Sequence, residues 1–479
     1  MMERLPRAWK LVFVTLGGLA GLLVLALLAA LLLVDVDAYK PRVEAAASRA
    51  LGMSGTVEGR IHVGLVPGLR VVLDKVRVRN GDSELVFAES ASVAIGMRSL
   101  LAQELRYDGI TLKGALVSIE RGRDGRYNFQ KPIGAAAAFR ALALPRLSFP
   151  ELDVVYADLK DGGGFEARHC RGELTDMRHP GGAPFLMRLS VSGQLACGEV
   201  RGKDATATDF LLPLEAKDGV FDFKPVTMRV YGGQGSGSLR MDRSAEVPVI
   251  DLAYSLRNLR IEEVFKAPAT GRSVSGPMDF STTLAMRGRT RRELRQSAGG
   301  EMALSGKDLT LSGVDLDERY SKFEASQAFD LLDVAAVLLA GPVGLAVTKG
   351  YDFSSLAAQS GGSTRIRTVD SRWKVAKGVA QASDVAMTTD GNRFALRGGL
   401  DFVDDEFDEV FVALVDARGC AKVRQRIRGP FGNPVVEKVG VMASVAGPVQ
   451  NLFGRAADLL SRTGVACEVF YSGSVAPPK

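Results

Sequence analysis

The chain has 479 residues, of which 46% are hydrophobic, and this length and composition allow two to four domains with packed cores. Its 61 basic and 55 acidic residues leave a net charge of +6 and are spread along the chain, which argues against a nucleic-acid-binding protein. The densest basic stretch, Arg289–Arg292, is more typical of a solvated face than of a site for anionic lipid. The 53 glycines favour many short strands and turns.

The first predicted element is a run of 24 uncharged residues, Leu11–Val34. As a helix it would be about 36 Å long, which is enough to cross a hydrocarbon core of about 30 Å with some tilt. Trp9 and Tyr39 bracket the run, where interfacial aromatic residues are expected. We therefore predict a cytoplasmic tail over residues 1–10, a transmembrane anchor over residues 11–34 and a translocated main domain.

A cleaved signal peptide is the alternative to an anchor. Its apolar region would be about 7–15 residues long and would end in a small-x-small cleavage site. This run is longer and passes directly into Asp35-Val36-Asp37. Basic residues flank the run almost equally, so the predicted orientation rests on the tendency of short basic tails to stay in the cytoplasm.

The residues after the anchor begin with a predicted amphipathic helix, Pro41–Leu51, which ends at Gly52. Apolar and polar residues then alternate with period 2, and the phase slips by one near Lys75, as at a bulge. Gly122–Gly125 is a predicted turn. The Ala-rich segment Ile133–Ala143 suits a linker or a marginal helix, and strand signals resume at Leu152.

The middle of the chain continues this alternation and predicts a mostly β body of antiparallel strands. Clear examples are the segments Phe185–Val191, Val226–Val230 and Ile250–Leu256. Two packed sheets or one long curved sheet with an apolar concave face would both explain the pattern. Residues 317–358 interrupt it with an apolar stretch broken by Gly341-Pro342, which predicts two short helices, either buried or resting on a membrane.

The C-terminal part returns to strands, including the continuous apolar run Val410–Val415, which suits a buried strand. A short helix is predicted at Asn451–Leu460 and a last strand at Cys467–Tyr471. The four cysteines fall into two separated pairs, Cys170 with Cys197 and Cys420 with Cys467, without metal-ligand spacing. We predict two structural disulfides outside the cytoplasm, and the alternative is four buried thiols.

No catalytic motif stands out, so we predict that the protein is not an enzyme and uses no metal or cofactor. His62, His169 and His179 lie outside any ligand pattern. Gly232–Gly237 connects two alternating strands and therefore favours a hairpin turn over a phosphate site. Asp315 and Asp317 lack a recognisable partner in the sequence.

Several motifs resemble those of a known family. They include Tyr39-Lys40-Pro41 after the anchor, Gly55–Gly59, Pro67–Leu69, Arg123–Asn128 and Tyr231–Gly233 in the first half. In the last third they include Leu339–Gly344, Lys349–Asp352, Gly419–Ala421, Gly429–Pro434, Gly447-Pro448 and Cys467–Val475. In this order the motifs resemble the AsmA family of bacterial envelope proteins. The match predicts an N-terminal region at 35–132, a central β-rich region at 133–300 and a C-terminal region at 301–479.

The resemblance implies an inner-membrane anchor, a periplasmic body built as an elongated, curved antiparallel β groove, and a role in outer-membrane biogenesis and phospholipid traffic. The implied partners are the inner membrane, phospholipid or another acyl lipid, and envelope proteins. The alternative is a structural assembly factor for outer-membrane proteins, with a closed β core and no lipid transport. Candidate groove residues are the in-phase apolar ones: Met187, Leu189, Val191, Val226, Met228, Val230, Leu252, Tyr254 and Leu256.

Overall fold

The computed structural model describes residues 36–64, 70–95, 107–130, 142–160, 162–181, 185–203, 205–264, 273–320, 331–339, 361–437, 440–441, 467 and 469–479. The predicted anchor with Trp9, the predicted helix at 451–460 and most of the insert at 317–358 lie outside these residues. Within the described ranges, no helix combines the length and the apolar character that crossing a bilayer requires. The chain divides into two compact units, Met1–Phe185 and Leu186–Lys479. The three regions predicted from the family resemblance stay predictions.

The first unit begins with a 3-10 turn, Val36–Tyr39, and helix α1, Lys40–Leu51. Pro41 lies in the first turn of α1, where its missing N–H costs no hydrogen bond. Gly52 ends the helix with a left-handed φ of 65°, and its N–H donates to the Ser48 carbonyl. The predicted helix and its end are therefore confirmed.

Seven strands follow in this unit: β1 (Ser54–Val57), β2 (Ile61–Gly64), β3 (Arg70–Asn80), β4 (Ser83–Ile95), β5 (Tyr107–Arg121), β6 (Leu142–Asp158) and β7 (Gly163–His179). β1 and β2 pair with successive halves of β3, which pairs antiparallel with β4 and so on to β5. Lys75, between the two halves of β3, has a φ of 53°. This residue explains the predicted phase slip.

Two predictions for this unit were wrong. β5 and β6 pair in parallel. Such pairing needs a connection of about a dozen or more residues, and residues 122–141 separate the two strands. β6 also begins at Leu142, ten residues before the predicted Leu152. Pro145 and Pro150 obscured this strand in the sequence, and pairing with β5 and β7 stabilises it despite them.

At the start of the second unit, Leu186 and Met187 belong to a 3-10 turn, Phe185–Met187, at the position of a predicted strand. The prediction was wrong because four alternating apolar residues directly after Pro184 are compatible with a turn as well as with a strand. The first strand starts only at Ser190. Gly232 confirms the predicted hairpin turn, with a φ of 70° between two adjacent strands.

The strands of this unit are numbered onward from the first. They are β8 (Ser190–Gly202), β9 (Thr206–Lys217), β10 (Val220–Val230), β11 (Gly233–Asp242), β12 (Val249–Arg260), β13 (Ser273–Ser275), β14 (Pro277–Arg287), β15 (Gly299–Ser312), β16 (Ser363–Ala376), β17 (Val379–Thr389), β18 (Arg393–Asp401), β19 (Glu406–Val415), β20 (Ala421–Pro430), β21 (Val435–Val436) and β22 (Gly440–Val441). The helices include α2 (Ile261–Val264), α3 (Arg291–Ser297) and α4 (Leu332–Leu339), and a helical turn follows β15 at residues 316–320.

These strands pair antiparallel in chain order from β8 to β20, except that β12 pairs with β14 and the short β13 pairs with β15. β21 and β22 both pair with β20. Each strand therefore lies beside its predecessor, and side chains at paired positions share a face of the sheet. The prediction of a mostly β body is confirmed.

The main hydrophobic core lies on one face of β12–β20, where α4 packs against β16, β17 and β18. On the opposite face, Ala386, Ala395 and Ala413 form a flat platform that Phe470, Tyr471 and Val475 cover. Strands β17–β19 are therefore buried on both faces, which fits their nearly continuous apolar sequences. The predicted buried strand at Val410–Val415 is confirmed within β19.

The predicted strand at Cys467–Tyr471 was wrong, because the residues of this segment that the structure describes form only an isolated bridge, between Val469 and Cys420. The main chain near Gly419 accepts hydrogen bonds from the N–H groups of Phe470 and Tyr471, at 2.8 and 3.0 Å. The segment thus lies against the alanine platform and does not extend the sheet.

Candidate functional site

Three rows of mostly apolar residues run across strands β10–β15 on one face of the sheet. In the first row Phe223, Leu239, Leu252 and Leu284 are paired in register. In the second, Gly237, Tyr254, Thr282 and Met302 are paired, and in the third Phe221, Met241, Ile250 and Met286. We call these twelve residues the open face, because most of their side chains are only half-buried.

The other face of the same strands is polar. Arg240 pairs with Asp222 at 3.0 Å, and both are about half exposed. Ser255 directly follows Tyr254 of the open face, and Thr283 directly precedes Leu284. Both Ser255 and Thr283 are exposed. Since consecutive strand residues point to opposite faces, the strands are amphipathic and their charges lie away from the open face.

Two cavities of about 940 Å³ and 550 Å³ lie against these strands. The larger one takes in consecutive residues of each strand, such as Ser238, Leu239 and Arg240. It is therefore bounded by main chain and by residues of both faces. Because its lining mixes charged residues with leucines, the cavity does not by itself support a lipid site, and the exposure of the open face is the stronger observation.

Two glycines of β11 make room for Tyr254. A Cβ atom on Gly235 would lie 2.7 Å from the Tyr254 Cζ atom, and one on Gly237 would lie 2.8 Å from the Tyr254 Cα atom. The tyrosine ring thus covers main chain where other strands present side chains. Burial raises the pKa of the Tyr254 hydroxyl, which has no hydrogen-bond partner among the described residues.

Most of the predicted groove residues lie on the face that carries the open rows. On β11, Gly237 pairs with Val226 on one side and with Tyr254 on the other, and Gly235 pairs with Met228 and Leu256 in the same way. Val230 pairs with Gly233. Leu252 belongs to the first row. Val191 of β8 joins the same face through Ala216 and Phe221.

The predicted residues differ in exposure and position. Leu252, Tyr254, Met228 and Val230 are half-buried, whereas Val191, Val226 and Leu256 are buried. Met187 lies in the 3-10 turn and Leu189 lies just before β8, so the period-2 argument does not apply to these two. Sequence reasoning missed Leu239, Leu284 and Met302 as groove candidates, although alternation in β11, β14 and β15 would have indicated them.

The open face ends at β16. Trp373 is paired with Met302 but is only 1% exposed, and its Nε1–H donates to the Ser371 hydroxyl at 2.8 Å. The Ser371 hydroxyl donates in turn to the Leu338 carbonyl of α4 at 2.9 Å. In the first row, Val375 and Leu400 are 7% and 0% exposed. In these two rows the apolar face is thus half-buried at Leu284 and Met302 and buried at β16, whereas Leu256 and Leu304 of the same face are already buried on β12 and β15.

The C-terminal segment is fixed to the opposite face by a disulfide and hydrogen bonds. Cys420 and Cys467 are disulfide-bonded with Cα atoms 5.9 Å apart, as predicted. The Tyr471 hydroxyl donates to Asp384 at 2.5 Å, and the Arg393 guanidinium donates to the Val475 carbonyl at 3.1 Å. Burial, followed by the bond to Asp384, raises the pKa of Tyr471. The pairing of Cys170 with Cys197 stays a prediction.

Other residues singled out in the sequence have structural partners. Asp317 accepts hydrogen bonds from Thr389 and Asn392 at 2.7 and 2.6 Å, and Asp315 accepts from the Glu318 N–H at the start of a helical turn. Of the basic stretch, Arg292 lies 3.2 Å from Asp404 and Arg289 pairs with Glu246. Tyr39, the predicted interfacial residue, is 47% exposed. Over the described ranges, no group of three or more potential ligands could hold a metal ion.

Residues 6–139 and 184–385 match the model of the AsmA family, which therefore covers more than half of the chain. No curated protein and no solved structure gives a significant match to the chain.

Proposed function

The chain belongs to the AsmA family, and from this we propose that it is an envelope protein, anchored in the inner membrane, that binds phospholipid acyl chains on its open face. Its role would be in outer-membrane biogenesis, with the body in the periplasm. The observation that carries the proposal is the set of three rows, each in register across four strands and mostly half-buried, with the charges on the other face.

Acyl chains suit this surface for an energetic reason. Moving a methylene group out of water gains about 0.8 kcal/mol, so a chain laid on Leu239, Leu252 and Leu284 would be stabilised by many small contributions. The strands beneath are paired on both sides with their neighbours. Their N–H and C=O groups are therefore occupied and offer no edge to an added peptide strand.

A structural assembly factor is the second candidate. Its support is the closed part of the sheet, where α4 covers one face of β16–β18 and the C-terminal segment covers the other face of β17–β19. If the whole sheet acted in this way, the open face would contact a protein instead of a lipid. The two candidates therefore differ in what touches Leu284.

The experiment places a photo-crosslinking amino acid at Leu284 of the full-length protein in intact cells, and at Thr283 as a matched control. These neighbours lie on one strand and point to opposite faces, with Leu284 half-buried and Thr283 exposed. We expect phospholipid adducts, identified by mass spectrometry, at Leu284 and background levels at Thr283. Protein adducts at Leu284 without lipid would favour the assembly factor.

The location is tested separately. A reporter that is active only outside the cytoplasm, fused after Lys479, should be active, and the mature protein should retain residues 1–34. Cytoplasmic reporter activity, or a mature form that lacks the apolar run, would contradict the anchored periplasmic body. This test does not depend on lipid binding.

A further inference from the structure

The boundary between the open and closed parts of the apolar face is abrupt. Met302 on β15 is half-buried, whereas Trp373, its direct partner on β16, is 1% exposed. Along the first row, Leu284 is half-buried, whereas Leu400 is fully buried. In these two rows the change occurs at β16, with Val375 and Trp373, although Leu304, farther along the same face of β15, is already buried.

Polar groups hold the cover in place on the closed side. The Ser371 hydroxyl joins the Trp373 ring to the Leu338 carbonyl of α4. At the other end of α4, the Leu331 N–H donates to the buried Gln425 side chain at 2.8 Å. The buried Ser371 and Gln425 side chains therefore form hydrogen bonds with main-chain groups at the two ends of α4 that would otherwise lack partners.

The open face provides no comparable anchors among the described residues. Its hydroxyl groups are those of Thr282, which donates to the Glu301 carbonyl, and of Tyr254, whose hydroxyl oxygen is buried although the residue is half-buried. A docked helix would leave its terminal N–H and C=O groups without such partners. An acyl chain has no groups that need them.

We propose that Trp373 and α4 form the end wall of the acyl-chain site, so that a lipid chain laid across the strands stops at β15. This inference rests on the proposed function. The wall is apolar toward the site, because the Trp373 Nε1–H is already bonded to Ser371. The methyl end of the chain therefore faces Trp373, and the headgroup stays on the side of β10.

The dimensions agree with a single acyl chain. Strands lie about 4.8 Å apart, so the four spacings from β10 to β15 span about 19 Å. One leaflet of a hydrocarbon core about 30 Å thick is about 15 Å deep, which is the depth that one chain fills. The site thus accepts an acyl chain of limited length, and the lipid enters and leaves on the β10 side. It does not pass lipid on across β16–β20.

The test compares photo-crosslinking positions on one face in the full-length protein in intact cells. Leu284 and Met302 lie before the wall. Ala382 lies one strand beyond Trp373 in the same row and is partly exposed. We expect lipid adducts at Leu284 and Met302 and background levels at Ala382. Adducts at Ala382 equal to those at Met302 would overturn the wall but leave lipid binding intact. Absence of adducts at all three positions would overturn the proposed function itself.

A second variant tests the wall without altering the closed side. Met302→Trp would move the apolar wall one strand toward β10, and Met302→Leu is the matched control. We expect the lipids crosslinked at Leu284 to shift toward shorter acyl chains in the tryptophan variant only. An unchanged chain-length distribution, with protease resistance equal to the parent protein, would contradict the role of this boundary.

Discussion

The ring of Tyr254 occupies the space that a side chain at Gly235 would need. A Cβ atom there would lie 2.7 Å from Tyr254 Cζ, and all three of its nearest neighbours belong to this one side chain. Gly235 lies in a strand with ordinary backbone angles, so its role here is to provide space and not conformational freedom. The glycines after the β10–β11 turn are therefore part of the packing of the open face.

Gly235→Ala should displace Tyr254 and destabilise the protein by about 1–3 kcal/mol, as expected for overpacking. In a Tyr254→Leu background the cost should be smaller, because the atoms that clash are gone. The free energy of unfolding, measured in urea, gives both values. Ser236→Ala, on the same strand and exposed on the other face, is the control and should change stability by less than about 0.5 kcal/mol. An equal cost of Gly235→Ala in both backgrounds would exclude Tyr254 as its cause.

Replacing both Cys420 and Cys467 by serine should reduce stability by roughly 3–4 kcal/mol, because the bond closes a loop across a sequence separation of 47. The paired substitution leaves the predicted Cys170–Cys197 pair intact, which a reducing agent would not. Urea unfolding measures the loss. Chymotrypsin should also cleave faster after Phe470 and Tyr471 once the segment leaves the alanine platform. Unchanged stability together with unchanged cleavage would show that the hydrogen bonds near Gly419 hold the segment alone.

Local patterns in the sequence predicted the elements whose stability is local. The alternation at Ile250–Leu256 predicted a strand, and Gly52 predicted the end of α1. The Cys420–Cys467 pair was also found, since the cysteines fell into two separated pairs. The parallel pairing of β5 with β6 was missed because it depends on a crossover that has no period of its own.

The division of the apolar face into an open and a closed part could not be predicted from the sequence either. Leu252 and Leu400 belong to one apolar row and look alike in their strands, yet one is half-buried and the other fully buried. The difference arises from α4, which is distant in sequence from both. The alanine platform has the same origin, since Ala395 and Ala413 are covered by residues near the C-terminus. Alternation shows which residues share a face but not what covers that face.

The stability of the C-terminal segment should fall above pH 10. The pKa of Tyr471 is raised from its ordinary value of 10.0 by burial and by the neighbouring Asp384 carboxylate. The folded protein therefore keeps the proton that the unfolded chain releases above this pH, and stability decreases as the pH rises further. Tyr471→Phe should remove this component and flatten the difference between pH 8 and pH 11, measured by urea unfolding. If Tyr471→Phe has the same pH dependence as the parent protein, the loss of stability above pH 10 is caused by other groups.

The same substitution at two positions of one row distinguishes an open face from a closed core. Leu400→Glu places a charge at a fully buried position, and we expect a loss of about 3–5 kcal/mol or complete unfolding. Leu252→Glu places the charge on the half-buried open face, where it can reach water. We expect that variant to keep its fold and to lose bound phospholipid, because an acyl chain beside it would desolvate the carboxylate.

Circular dichroism on heating and the phospholipid content of the purified full-length protein measure the two effects. Ser255→Glu, exposed on the opposite face of β12, is the control and should change neither. If Leu252→Glu unfolds as readily as Leu400→Glu, the face at β12 is part of a closed core and the assembly factor is the better function. If it stays folded and retains the parent lipid content, the first row does not contact lipid.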